Sequence, residues 1–108
     1  MAQVHFYRYV SNLESQFIRS ESRIQSKSGV TYYTTDFYEA APEAQQKLAL
    51  DFPPDSRVGP IPADEMPDFD AVPLKSVDPD PLNGQPGGGV EAATTSILRL
   101  FAITRLSP

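Results

Sequence analysis

NGQPGGGVEAATTS (Asn83–Ser96) and the segment that follows, SILRLFAITRL (Ser96–Leu106), decide how the chain is read. Gly87, Gly88 and Gly89 admit backbone dihedrals closed to other residues and let another group approach closely, at a cost in chain entropy. Glu91, a lone carboxylate, stands just beyond them. Such a loop is a hinge or a site, and as a site it requires at least one of the three glycines at positive φ. SILRLFAITRL alternates over its whole length, which predicts a single strand. Ile97, Arg99, Phe101, Ile103 and Arg105 fall on one side and Leu98, Leu100, Ala102 and Thr104 on the other.

Upstream of the glycines, Phe52–Gly84 holds eight prolines among short apolar runs. Because proline is tolerated at sheet edges and strand starts but not inside a central ladder, SRVGPI and FDAVPLKSV read as short edge-type strands. Further back, Pro42 suits the first turn of a helix over PEAQQKLAL, with Ala44, Leu48 and Ala49 facing inward. VTYYTT (Val30–Thr35), after Gly29, is β-branched and aromatic, and so a strand. Ser11 and Glu14 match a capping box, and Leu13, Phe17 and Ile18 have helical spacing, so a short helix should end near Ser20. Before it, VHFYRYV (Val4–Val10) alternates as a strand with Val4, Phe6, Arg8 and Val10 on one face and His5, Tyr7 and Tyr9 on the other. The order is strand, helix, strand, helix and then mainly strands: an α+β fold with two short helices and long proline-rich loops.

The 108 residues suit one domain spanning 1–108, with six Phe and five Tyr to fill its core. With no cysteine and a single histidine, His5, a thiolate or His-based metal site is not expected. Asp64, Glu65, Asp68 and Asp70 lack the spacing and central glycine of a calcium loop, so they read as a solvated turn. No apolar run approaches a membrane span and no signal peptide is apparent, which gives the cytoplasm as the expected site of action. The net charge of −5 is uneven: residues 36–91 carry twelve acids against three bases, whereas both flanking segments are net basic. That acidic middle speaks against nonspecific nucleic-acid binding. There is no phosphate-loop lysine motif and no Ser/His/Asp set, so kinase and ordinary hydrolase readings fall.

An arginine in a first strand (FYRYVS), an aromatic-threonine strand after a glycine (GVTYYTT), a small helix and a late GQPGGG-x-E loop together resemble the ADP-ribosyltransferase superfamily. The GQPGGGVE stretch is similar to that of NAD-glycohydrolase toxin domains of the tuberculosis necrotizing toxin type. The resemblance implies an ADP-ribosyltransferase-like sheet core and cleavage of the nicotinamide–ribose bond of NAD, by hydrolysis or by transfer to an acceptor. Those toxins carry glutamine where this chain has Glu91, which leaves the choice between the two open. Glu91 is implied as the carboxylate that steadies an oxocarbenium-like transition state. Arg8 is implied as the bidentate grip on the pyrophosphate, for which lysine would be only a point charge. Tyr33 and Thr34 would support the nicotinamide pocket, Tyr33 (or its neighbour Tyr32) as a stacking platform. Gln85, Gly87, Gly88 and Gly89 would shape the loop beside NAD. No metal is implied. A cognate immunity protein is the implied partner, and a larger secreted bacterial toxin the implied setting.

Each of these residues also has a plainer reading. Arg8 fits a salt-bridged strand residue, Glu91 a solvated loop carboxylate, the tyrosines half-buried strand positions, and the glycine run a connector. The alternative function is a non-catalytic protein-binding, immunity or adaptor module that meets a basic partner through the acidic, proline-rich middle.

Overall fold

A computed structural model describes residues 5–24, 30–65, 74–94 and 97–108. In order, these form β1 (His5–Val10), α1 (Asn12–Glu21), β2 (Arg23–Ile24), β3 (Thr31–Tyr33), α2 (Ala41–Lys47), β4 (Ser56–Pro62), a 3-10 turn (Ala63–Glu65), β5 (Lys75–Ser76), β6 (Val90–Thr94), β7 (Leu98–Arg99) and β8 (Ile103–Arg105). Helices and strands mix as the α+β reading requires.

The strands make three small antiparallel sheets, ordered β1-β4-β8, β2-β7 and β3-β6-β5. Tyr7 of β1 and Thr34, just past β3, exchange both backbone hydrogen bonds at 2.7 and 2.9 Å, so β1 borders the third sheet as well as its own. One core cluster gathers Phe6, Val10, Ile18, Tyr33, Val58, Ile61 and Phe101 among others. A second, of Tyr9, Tyr38, Ala41, Ala44 and Leu106, lies under α2.

Several expectations are corrected. SRVGPI is not an edge: β4 lies between β1 and β8. Its register runs Phe6 to Ile61 and then Arg8 to Val58, so β4 carries one extra residue opposite Tyr7. That bulge accommodates Gly59 and Pro60, and the missing proline donor breaks no rung. Gly59 itself has φ 132°, and a Cβ there would stand 2.8 Å from the Phe6 carbonyl oxygen.

A strand unpredicted from sequence, β6, begins directly after the glycines and is the centre of its sheet. SILRLFAITRL, by contrast, is two strands and not one. Leu98 and Arg99 pair with β2, whereas residues 103–105 pair with β4. Between them, Leu100 N–H donates to the Ser22 carbonyl and the Ala102 carbonyl accepts from Gly59. The change of partner lets Leu98, Phe101 and Leu106 all face inward, which strict alternation would forbid.

In α1 the inward residues are Ser15 and Ile18, while Leu13 and Phe17 stand exposed. Ser11 accepts the Glu14 N–H at 3.1 Å as the cap requires, but the Glu14 carboxylate turns to Arg8 and not back to the cap. α2 starts as expected, with Pro42 in its first turn, and Ala41 and Ala44 are buried. Ala49, expected to face inward on the helix, lies beyond it at φ 52°. Of FDAVPLKSV, only residues 74–77 fall among the described residues, with β5 at Lys75–Ser76.

Candidate functional site

β1, β3 and β6 come together around one cleft. It is lined by Tyr7, Arg8 and Tyr9 of β1, Tyr32, Tyr33 and Thr34 of β3 and its end, Glu91 of β6, and Leu48 and Leu50 beyond α2. The cavity is about 60 Å³, room for a few heavy atoms. Four sequence-derived residues, Arg8, Tyr33, Thr34 and Glu91, therefore share a wall. Gln85, Gly87, Gly88 and Gly89 are not among its lining residues.

The chain brings Arg8 here by a short-range device. Ser11 starts α1 one residue after β1 ends, which puts Glu14 on the first turn, six residues from Arg8. The guanidinium then meets it fork to fork: Nε donates to Oε2 at 2.6 Å and Nη2 to Oε1 at 2.9 Å. Nη1 donates to the Tyr32 carbonyl at 3.0 Å. Three of the five guanidinium N–H groups are thus engaged, and the other two have no partner among the described residues. The arginine is paired, as its plainer reading holds, and is one of the residues that line the cleft; the strand registers set its side chain on the face of Tyr33 and Ala92 and that of Glu91 on the alternate face.

Glu91 sits opposite Lys75 in the β5–β6 ladder, with Oε1 3.6 Å from Nζ. The lysine is mostly exposed and screened by water, so the carboxylate is only weakly tethered. Thr34 is buried, and its Oγ1 accepts the Asp36 N–H at 3.0 Å.

Tyr33 is 2% exposed and its ring belongs to the first core cluster, whereas Tyr32 is 49% exposed. A ring face offered to a ligand from β3 is therefore Tyr32's. The Tyr33 hydroxyl is buried without a partner among the described residues. Burial raises its pKa well above the ordinary phenol value, against the pull of the Arg8 charge.

The glycine loop is built for contacts within the chain. Gly87 and Gly88 have φ of 70° and 97°, as the sequence led one to expect. Gly87 N–H donates to Gln46 and Gly89 N–H to Lys47, both at 2.9 Å and both at the end of α2, while Gly88 N–H donates to Val77 at 3.1 Å. A Cβ on Gly87 would lie 2.6 Å from the Val77 oxygen. Three successive donors are thus taken by carbonyls, so this loop offers no ring of free N–H groups to a phosphate. Gln85 belongs to the preceding turn, where its Nε2 donates to the Asn83 carbonyl.

Two residues that sequence reading passed over matter here. Glu14 was legible only as half of a cap. Asp36, after the threonines of VTYYTTD, receives both the Tyr38 hydroxyl at 2.8 Å and the Val90 N–H at 3.0 Å on Oδ2. Among the described residues, no group of three or more His, Asp or Glu side chains is gathered to hold a metal. No described helix is long and apolar enough to cross a membrane. No family model, curated protein or solved structure matches the chain.

Proposed function

We propose that this chain is an ADP-ribosyltransferase-like domain that consumes NAD by breaking its nicotinamide–ribose bond. The observation that carries the reading is convergence: Arg8, Thr34 and Glu91, from three separate stretches of sequence, line one cleft. In the proposed reaction the C–N bond breaks with its electron pair leaving on nicotinamide, and positive charge develops on the ribose. The Glu91 carboxylate opposes that charge. Water, or an acceptor hydroxyl, then forms the new bond to the same ribose carbon and gives up a proton. Arg8, held by Glu14 along one edge, keeps two N–H groups for phosphate oxygens, and the exposed Tyr32 ring supplies a face for the nicotinamide. The reaction needs no metal. Its setting would be the cytoplasm of a target cell, with an immunity protein as the natural inhibitor.

The experiment is to incubate the purified protein with NAD and quantify nicotinamide and ADP-ribose. Wild type should release both. Glu91→Gln preserves size and hydrogen bonding but removes the charge, so kcat should fall about a hundredfold while KM changes little, as for an interaction made mainly in the transition state. Full turnover in Glu91→Gln would remove the carboxylate from the mechanism.

A second reading, the non-catalytic binding or adaptor module, is favoured by a different observation. Phe52 and Leu82, 80% and 95% exposed, flank Asp51 and Asn83. The Asn83 amide joins Asp51 and Asp80 across two acidic loops at 3.0 and 2.8 Å. Absence of nicotinamide release together with salt-sensitive association with a basic protein would favour that module.

A further inference from the structure

We infer that Asp36 is a positioning residue for Glu91, acting through the backbone of Val90; the inference rests on the NAD-consuming reading above. β3 pairs with β6 in the register Thr31 to Thr94, Tyr32 to Ala93 and Tyr33 to Ala92. Extended by two residues, that ladder would set Thr35 opposite Val90, but β3 has ended. The Asp36 carboxylate takes the Val90 N–H in place of a backbone carbonyl, at 3.0 Å. The residue that follows Val90 is Glu91, which lines the cleft.

Asp36 is itself held through its N–H, its carbonyl and its Oδ2. Its N–H donates to Thr34 Oγ1 at 3.0 Å, and its carbonyl accepts the Tyr9 hydroxyl at 3.0 Å. Its Oδ2 also accepts the Tyr38 hydroxyl at 2.8 Å, and Tyr38 N–H in turn donates to the Tyr9 oxygen at 2.7 Å. β1, the end of β3 and the start of β6 are thereby tied at one residue, the first two through its backbone and the last through its carboxylate. Gly89 belongs to the same junction: a Cβ there would lie 2.9 Å from the Tyr38 hydroxyl, 3.1 Å from Asp36 Oδ2 and 2.9 Å from the Lys47 carbonyl oxygen. The third glycine of the run thus makes room for this carboxylate. Displacing a catalytic group by about 1 Å can cost two orders of magnitude in rate. The last tie before Glu91 therefore bears on turnover more than on NAD affinity.

The test compares Asp36→Ala, Asp36→Asn and Gly89→Ala with wild type, through NAD turnover and through hydrogen exchange at the Val90 amide. Asp36→Ala should lower kcat per folded molecule about ten- to a hundredfold with KM within about twofold, and speed Val90 exchange at least about tenfold. Asp36→Asn, whose amide oxygen still accepts from Val90, should recover kcat to within about threefold of wild type. Gly89→Ala, which pushes on the same carboxylate from the other side, should reproduce the kcat loss; it carries the test where Asp36→Ala fails to fold. Wild-type kcat in folded Asp36→Ala or Gly89→Ala, an unchanged Val90 exchange rate in Asp36→Ala, or no recovery in Asp36→Asn would overturn the positioning role. An inactive wild type would instead overturn the NAD reading, and the role with it.

Discussion

At the residue scale, three buried tyrosines set how the protein responds to alkali. Burial pushes the Tyr9 phenol up to about 12, against the opposing pull of its hydrogen bond with Tyr38 and of the Arg57 charge. Burial also raises Tyr33, and raises Tyr38 together with its hydrogen bond to Asp36. Below about pH 9 these phenols are neutral in both folded and unfolded chains. Above it the unfolded chain loses protons that the folded chain keeps, so stability falls as pH rises, by up to about 1.4 kcal/mol per pH unit for each tyrosine. The urea midpoint should therefore hold to about pH 9 and drop ever more steeply through pH 10 and beyond, with tyrosinate absorbance from the three appearing only as the protein unfolds. Side-chain identities at the site were legible because arginine in an apolar strand and a carboxylate after three glycines are unusual in themselves. The Arg8–Glu14 fork was not, since the capping box gave Glu14 another use, and only the turn between β1 and α1 decides which partner it takes.

Elements that announce themselves locally were read well: α1 through its cap, α2 through Pro42, β1 and β3 through alternation and β-branching. The misreadings share one cause, a tertiary partner overriding a local pattern. Pro60 marks an edge unless a bulge absorbs it, and the SILRLFAITRL alternation holds unless two sheets share its length. VEAAT was hidden because its alanines carry little strand preference, and its place between β3 and β5 supplies the rest. The glycine loop gives a prediction at this scale. Gly84 and Gly87 have nearly equal φ, 71° and 70°, but a Cβ on Gly84 meets nothing within 4 Å, whereas one on Gly87 meets the Val77 oxygen at 2.6 Å. Gly84→Ala should cost about 1 kcal/mol from backbone conformation alone. Gly87→Ala should cost about 2–4 kcal/mol, because the Val77 to Gly89 pairing must also give way. Urea unfolding of the two variants measures the difference, and equal losses would refute the packing role of the loop.

At the scale of the whole molecule, nearly every pairing joins distant sequence: Val10 with Ser56, Val58 with Ile103, Tyr33 with Ala92. Loop closure must precede the contacts that reward it, so refolding from urea should take milliseconds to seconds and not microseconds, as stopped-flow fluorescence would show. The same long range explains why the cleft as a place was beyond sequence reading, although its residues were not. That Arg8 and Glu91 line one cleft depends on β3 lying between their strands, a fact of topology that no spacing encodes. The reciprocal Tyr7–Thr34 pair, beside Arg8 and Tyr33, is the one backbone rung joining those two sheets among the described residues. With the Arg8 bond to the Tyr32 carbonyl on one side and the Tyr9 bond to the Asp36 carbonyl on the other, that rung clamps β1 against the end of β3, so the part of the cleft wall they share is held as one piece.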